Sequence, residues 1–218
     1  MRKTLLAVSV LALSFSTTAQ SNLEIGNTTL TFRKSEYHND TSIQGSKYLN
    51  EQFINTKVNN GTQNFLIRYN AYNDIMEYQN GAELVELIKE QNTHFQFNNG
   101  DVYELMTYHV KGKNITRYNQ ILFDKNHIKI SKFRGVELIE AKKAQTGYTN
   151  SSPARYVPSK DIYYITLNNK TIEFSGKQKS LEKLFPNKTM EIKKFYKNNK
   201  IKENDDDLIK LGKFIMTL

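Results

Sequence analysis

The sequence predicts a mainly β protein, an antiparallel sheet, sandwich or open barrel, with a short α-helical segment at its C-terminal end. Short runs that alternate between apolar and polar residues recur up to residue 176. Turn-forming pairs such as Asn60-Gly61, Asn80-Gly81 and Asn99-Gly100 separate these runs. Beyond Ser180 the spacing of apolar residues lengthens from two to between three and four, which indicates helices.

Residues 1–19 predict a signal peptide. Arg2 and Lys3 precede an apolar run over residues 5–15, which is shorter than a bilayer span. Small residues then lead to Ala19, and we expect cleavage there or one residue later. No cysteine stands at this point, so we expect no lipid anchor. The sequence therefore predicts export to the periplasm, the outer envelope or the medium.

Residues 20–176 are expected to form a β-rich body, after an irregular start over residues 20–26. The clearest hairpins combine residues 65–70 with 75–78 and residues 94–97 with 102–110. The run from Val102 to Val110 is apolar on both faces, which indicates a strand inside the fold. Gly135 interrupts the following strand pattern and predicts a bulge or bend.

Residues 177–218 are expected to form a basic helical segment that packs on this body. Ser180 can cap a first helix, which Pro186 would end. A second helix would bury Ile192 and the aromatic pair beside Lys197. Asn204 can cap a third helix, whose first turn carries three aspartates that the helix dipole favours.

The excess positive charge lies almost entirely on this segment. Residues 177–202 contain nine lysines and two acids, a net +7. Four lysines recur near helical spacing on one face and are the candidate binding residues: Lys193, Lys194, Lys197 and Lys200. They would contact an anionic polymer or a membrane surface, or form an ordinary solvated helix face. Lysine without arginine does not suggest specific nucleic-acid recognition.

No catalytic residue, metal site or cofactor is indicated by the sequence. The chain has no cysteine, which excludes thiol catalysis and thiolate metal sites. It has neither a phosphate-binding glycine loop nor a G-x-S-x-G turn. The four histidines lack metal-ligand spacing: His38, His94, His109 and His127. The acids available for a carboxylate-dependent site are Glu83, Glu86, Glu104, Glu137 and Glu140.

Tyrosine is abundant on and beside the predicted strands. The residues concerned are Tyr69, Tyr72, Tyr78, Tyr103, Tyr108, Tyr118, Tyr163 and Tyr164. One interpretation is an aromatic face that binds a glycan, a peptide or a lipid. The other is that tyrosine is a favourable strand residue with an apolar body and a polar tip, which accounts for the placement without a ligand.

Several short motifs resemble a group of uncharacterised exported envelope proteins of Gram-negative bacteria. Two of them are Gly-x-x-Tyr-Leu-Asn over residues 45–50 and Arg-Tyr-Asn over residues 68–70. Further segments lie at residues 152–157, 161–165, 184–188 and 207–211. The resemblance implies an envelope location, a β-rich body and a lysine-rich helical end, and it carries no activity and no catalytic residue.

Two functional hypotheses follow. The first is a non-enzymatic exported protein with a structural role or a role in binding a ligand or partner. The alternative is a carboxylate-dependent hydrolase with its site at a barrel mouth. Acids that converge in a deep pocket would favour the hydrolase. The sequence indicates no particular oligomeric state.

Overall fold

The structure, a computed structural model, describes residues 20–25, 28–35, 42–110, 112–142 and 151–218. It confirms the predicted class, because most ordered elements are antiparallel strands and the helices lie at the C-terminal end. The predicted signal peptide and His38 lie outside the described residues. None of the helices in the described ranges has the length and apolar character needed to cross a bilayer.

Fourteen strands precede three helices in the described part of the chain. The strands are β1 Gln20–Ile25, β2 Thr28–Lys34, β3 Ile54–Val58, β4 Asn64–Asn70, β5 Ile75–Asn80, β6 Glu83–Leu87, β7 His94–Phe97, β8 Val102–Val110, β9 Lys113–Lys125, β10 Ile128–Phe133, β11 Val136–Ile139, β12 Arg155–Pro158, β13 Ile162–Leu167 and β14 Lys170–Glu173. The helices are α1 Gln178–Leu184, α2 Thr189–Asn198 and α3 Asp205–Ile215, with a 3-10 turn at Pro186–Lys188.

Twelve strands form one antiparallel sheet in the order β1-β2-β6-β5-β4-β3-β7-β8-β9-β10-β13-β14. Two meanders, β3 to β6 and β7 to β10, join through the pairing of β3 with β7. Strands β11 and β12 pair separately, beyond the break at Gly135. The expected irregular start was wrong, because β1 pairs with β2 along its whole length.

The first part of the sheet curls over its own apolar face. Tyr69 on β4 and Tyr103 on β8 have ring centroids 5.2 Å apart, although two strands lie between them in the sheet. Tyr118 on β9 contacts Phe95 of β7 across one intervening strand, with ring centroids 5.6 Å apart. We call the enclosed cluster the self-covered core, and its buried members are Leu30, Val58, Phe65, Ile67, Tyr69, Ala71, Met76, Leu87, Phe95, Phe97, Tyr103, Leu105, Tyr118 and Val136.

The second part of the sheet is covered by the three helices instead. We call this cluster the helix-covered core, and its buried members are Phe123, Ile128, Ile130, Tyr163, Ile165, Phe174, Leu181, Ile192, Leu208, Leu211 and Ile215. Gly212 allows α3 to approach the sheet closely, since a Cβ there would lie 2.8 Å from the ring of Phe123.

Strand β9 contributes to both cores because of a β-bulge. Ile130 pairs with Phe123 while Ser131 pairs with Ile121, which leaves one extra residue on β9. The extra residue shifts the alternation of side chains. Tyr118 and Phe123 therefore face the same side of the sheet, although residues five positions apart on a regular strand would face opposite sides.

The helix boundaries follow the sequence only in part. Asn204 caps α3 as predicted, and its Oδ1 accepts a hydrogen bond from the Asp207 backbone N–H at 3.0 Å. The prediction that Ser180 caps the first helix was wrong. Lys177 precedes α1, which begins at Gln178 and places Ser180 inside the helix.

Candidate functional site

Three of the motif segments converge at one side of the sheet. Gln44 pairs with Arg155 of β12, and Tyr48 forms an isolated bridge with Asn70 of β4. Gly45 has a φ of +80°, and a Cβ there would lie 2.5 Å from the carbonyl oxygen of Tyr156. Only glycine fits this crossing, because other residues rarely adopt that φ and would clash with the strand. The crossing brings residues 45–50 beside Arg68.

Buried charged groups anchor these segments to the outer face of the sheet. Glu77 of β5 is only 1% exposed and accepts hydrogen bonds from Arg68 Nε at 2.8 Å and Asn70 Nδ2 at 2.8 Å. The Tyr48 hydroxyl lies 3.0 Å from Glu77 Oε2 and donates to this carboxylate. Glu77 is thus paired and hydrogen-bonded, as a buried carboxylate requires.

Aromatic rings hold the guanidinium of Arg68. Its Cζ lies 3.8 Å from the ring centroid of Tyr48 and 4.4 Å from that of Phe53. Nη2 donates to the Tyr48 hydroxyl at 2.7 Å, and Nη1 donates to the Glu51 carbonyl at 3.3 Å. Burial and the charge of Glu77 raise the pKa of Tyr48 well above its usual range, so the hydroxyl stays protonated. These contacts together hold the Arg68 side chain in one orientation.

An open cleft with a volume of about 90 Å³ lies beside Arg68, at the end of the self-covered core. Its lining comprises Leu49, Asn50, Gln52, Ile54, Arg68, Tyr69, Phe97, Asn99, Asp101, Tyr103 and Arg134. The contacting rings of Tyr69 and Tyr103 are part of this lining and also of the core. The cleft exists because the curled sheet covers its apolar face but leaves this end uncapped.

Two buried polar atoms near the cleft lack hydrogen-bond partners in the described part of the chain. Gln120 donates from Nε2 to Asp101 Oδ1 at 2.6 Å, but its Oε1 accepts nothing. Arg134 Nε also has no hydrogen bond, and Asp161 Oδ1 lies 3.6 Å from it. Buried groups of this kind normally have a partner, either in the protein or in a bound molecule.

The Tyr103 hydroxyl is affected by the charges of both Asp101 and Arg134. Burial and the charge of Asp101 raise the pKa of Tyr103, and the charge of Arg134 lowers it in part. The net shift is upward, so the hydroxyl is neutral and can donate a hydrogen bond. Arginine, carboxylate, phenol and amide groups therefore surround one small space.

The acids that the sequence offered for a hydrolase do not meet in this cleft. Asp101 is the one carboxylate among the described residues that line it, and its Oδ2 accepts from Asn99 Nδ2 at 2.9 Å. Glu86 lies buried on β6 beside Arg33, and Glu104 pairs with Lys129 and His94. Three further candidates are exposed elsewhere: Glu83, Glu137 and Glu140.

The described histidines belong to no metal-binding cluster, and most of the strand tyrosines are buried. Within the described ranges, no group of three His, Cys, Asp or Glu side chains could hold a metal ion. His109 Nδ1 lies 2.9 Å from Asn114 Oδ1, at the surface. Six of the eight strand tyrosines are buried: Tyr69, Tyr103, Tyr108, Tyr118, Tyr163 and Tyr164. Tyr72 is 38% exposed and packs against Tyr156.

The four candidate lysines lie on the outward side of α2 and just beyond it, far along the chain from the cleft residues. Lys193, Lys194, Lys197 and Lys200 are all exposed. None of them forms an ion pair with a residue that the structure describes, and the neighbouring Glu191 pairs with Lys188 instead.

Sequence reasoning missed the cleft, because its lining comes from separate segments. Asn99 and Asp101 follow β7, Arg134 follows β10 and Leu49 precedes β3. The motif residues 45–50 and 68–70 were noticed, but only as marks of resemblance. Comparison with protein-family models, with curated proteins and with solved structures finds no match to this chain.

Proposed function

We propose that the protein is an exported, non-enzymatic binding protein of the cell envelope, and that it holds a hydroxyl-rich ligand, such as a glycan unit, in the cleft beside Arg68. The observation that carries this proposal is a pair of buried atoms with no hydrogen bond to a described residue: Gln120 Oε1, whose amide group contacts the cleft residue Asp101, and Arg134 Nε, which has only the more distant Asp161 at 3.6 Å. One is an acceptor and the other a donor.

A sugar hydroxyl matches this arrangement because it donates and accepts at the same oxygen. The phenol of Tyr103 and the side chains of Asn50, Gln52 and Asn99 offer further polar groups around the space. The space inside the cleft, about 90 Å³, is smaller than the usual range for small-ligand sites, so we expect it to take only one end of such a ligand. Tyr69 and Phe97 present apolar ring surface to the ring carbons of such a ligand.

The cleft supports binding better than hydrolysis. Glycoside hydrolysis normally requires two carboxyl groups that flank the scissile bond. Asp101 stands alone among the described lining residues, and both its oxygens accept hydrogen bonds from Gln120 and Asn99. A carboxylate used in this way is a positioning group rather than an acid paired with a second carboxylate.

Disaccharide titrations test the proposal. Cellobiose, maltose and chitobiose are added to the purified mature chain, and binding is followed by calorimetry and by amide chemical shifts. At least one disaccharide should shift the amide resonances of Asn99, Asp101 and Tyr103, and the shifts should reach saturation. Arg134→Leu should weaken the binding of that probe about tenfold or more. The hydrogen bond that the charged guanidinium donates to the ligand contributes about 1.5–3 kcal/mol, and the variant loses it.

Arg33→Leu is the matched control, because it removes an arginine paired with a buried glutamate away from the cleft. It should leave the affinity for the probe unchanged. The absence of cleft shifts with all three disaccharides would refute the proposal. Release of monosaccharide from any probe would instead establish the hydrolase alternative.

Export is tested separately. The N-terminus of the protein recovered from the envelope or medium should be Gln20 or Ser21, as the predicted cleavage requires. A chain without residues 2–19 should stay in the cytoplasm. An intact N-terminus on a cytoplasmic protein would overturn the proposed location.

A further inference from the structure

The outward side of α2 combines an exposed apolar residue with lysines that form no ion pair with a described residue. Met190 is 77% exposed, whereas the other exposed large apolar side chains in the described ranges are 36–40% exposed. Lys193, Lys194 and Lys197 follow it at intervals of three, four and seven residues. This spacing places Met190 and the lysines on one side of the helix.

The opposite side of α2 is fixed to the protein. Ile192 is fully buried in the helix-covered core. The ring of Phe195 stacks on Phe214 of α3, with centroids 4.0 Å apart and planes 8° from parallel. The Tyr196 hydroxyl donates to the carbonyl of Gly176. The helix therefore cannot turn to bury Met190, and the outward orientation belongs to the fold.

The two kinds of side chain on this face indicate which partner would match it. Lysines that form no ion pair with a described residue are well solvated, whereas the methionine at the N-terminal end of the same face would gain free energy by entering an apolar environment. A second protein, a polyanion and a lipid bilayer are the possible occupants. An anionic polymer would satisfy the lysines and leave Met190 exposed. An anionic bilayer satisfies both, because headgroups pair with ammonium groups while the thioether enters the acyl boundary.

We propose that this face, defined by Met190, Lys193, Lys194, Lys197 and Lys200, docks the protein on an anionic lipid surface. Met190 enters the boundary between headgroups and acyl chains, and the lysines that follow it along the chain contact phosphate groups. The surrounding charge supports the choice, since residues 177–202 carry a net +7. The proposal does not depend on the ligand of the cleft.

Vesicle sedimentation tests the proposal with the full mature chain. The probe is a vesicle of about 70% phosphatidylcholine and 30% phosphatidylglycerol, and pure phosphatidylcholine vesicles are the control. The protein should bind the first and not the second. Binding should fall steeply between about 50 mM and about 500 mM NaCl, as screening requires.

Charge reversal and a matched control separate this face from net charge. Lys193→Glu, Lys194→Glu and Lys197→Glu together should weaken vesicle binding by about tenfold or more. Lys57→Glu, Lys113→Glu and Lys125→Glu change the net charge equally at exposed positions on the sheet. This second triple variant should keep most of the binding. Equal losses in both variants would overturn the proposal.

Insertion of Met190 is tested with a fluorescent label. The chain has no cysteine, so Met190→Cys carries a single environment-sensitive dye. Its emission should shift to the blue on anionic vesicles, whereas the same dye at Thr62→Cys, an exposed position after β3, should not shift. Met190→Ser should also weaken vesicle binding, while Met190→Leu should retain it.

Two results would overturn the membrane proposal. One is the absence of wild-type binding to anionic vesicles. The other is binding to dextran sulfate and to vesicles alike, lost on charge reversal but unchanged in Met190→Ser and with no blue shift at position 190. The second result would establish a polyanion site that uses only the lysines.

Discussion

The self-covered core and the helix-covered core lie on the same side of one sheet and are closed in different ways. In the first, rings from β4, β7, β8 and β9 meet across the curled sheet and leave an open end beside Arg68. In the second, α1, α2 and α3 cover the strands and fill the space against them. The first region therefore presents an inward cleft, and the second presents an outward helix surface.

The difference shows how the type of cover determines where function can reside. A sheet that covers itself must leave an end, where backbone and side-chain polar groups meet solvent. Helices bury one apolar stripe each and direct their remaining side chains outward. The cleft and the face around Met190 are consequences of these two geometries, and mutations should affect the two regions differently.

Removing Glu77 should have the largest effect on stability. Glu77→Ala leaves Arg68, whose side chain is 14% exposed, without its carboxylate. The free energy of unfolding should fall by about 3–5 kcal/mol, because a buried charge loses its partner. Urea denaturation at neutral pH measures this loss. Because Arg68 lines the cleft, its displacement should also lower the affinity for the disaccharide probe.

Glu86→Ala is the matched comparison, since Glu86 lies opposite Glu77 on β6 and pairs with Arg33. The Arg33 side chain is 48% exposed and can be solvated when its partner is lost. The free energy of unfolding should therefore fall clearly less in Glu86→Ala than in Glu77→Ala. Equal losses would show that Arg68 is not confined as its contacts indicate.

Adding a methyl group to α3 should have an intermediate effect. Gly212→Ala would place a Cβ 2.8 Å from Phe123 and 3.1 Å from Ile130. Overpacking costs about 1–3 kcal/mol, and the higher helix propensity of alanine offsets up to about 1 kcal/mol. Thermal unfolding should show a net loss of about 1–2 kcal/mol.

Lys213→Ala supplies the control on the next residue of α3, which is exposed. It should change stability by less than about 0.5 kcal/mol. Disaccharide affinity should be unchanged in Gly212→Ala, since the helix-covered core does not line the cleft. A stabilised Gly212→Ala protein would show that this core is looser than the cover by three helices implies.

The smallest predicted effect lies at the junction of the two regions. Glu104 on β8 pairs with Lys129 on β10 and with His94 on β7. Burial raises the pKa of Glu104, but hydrogen bonds from His94 and Lys129 outweigh this, and the net pKa is lowered. Because the pKa of Glu104 is lower in the folded state, its ionised form stabilises the fold at pH values above the unfolded pKa. This stabilisation is lost as the pH falls through the folded pKa.

Glu104→Gln should therefore lower stability by no more than about 1 kcal/mol at neutral pH. The difference from the wild type should shrink as the pH falls below about 4.5, the usual range for glutamate. Urea midpoints from about pH 7 to about pH 3 measure it. Glu83→Gln, at an exposed position, should parallel the wild type throughout. A constant gap between Glu104→Gln and the wild type would contradict the assigned titration.

Much of the fold could be predicted because its signals are local. Alternation over residues 65–70 and 102–110 and the Asn-Gly turns depend on neighbouring residues. The Asn204 cap also needs only a hydrogen bond three residues away. Strand β1 was missed because its partner β2, rather than its own pattern, makes it a strand.

The candidate site was harder to predict because its parts are far apart in the chain. Glu77 looks like an ordinary polar position on an outward strand face. Residues 42–53 cross that face and bury it, which the sequence does not show. Arg134 and Gln120 likewise acquire their roles only where the curl of the sheet brings them near Asp101.

The sequence by itself determined the mainly β class, the helical C-terminal end and the basic charge of residues 177–202, because periodicity and composition are properties of short segments. The tertiary structure alone decided which apolar face the sheet covers and which the helices cover. It also decided that an end stays open beside Arg68 and that Met190 faces outward. These outcomes depend on the curl of the sheet and on long-range packing, where residues distant in sequence exclude water together.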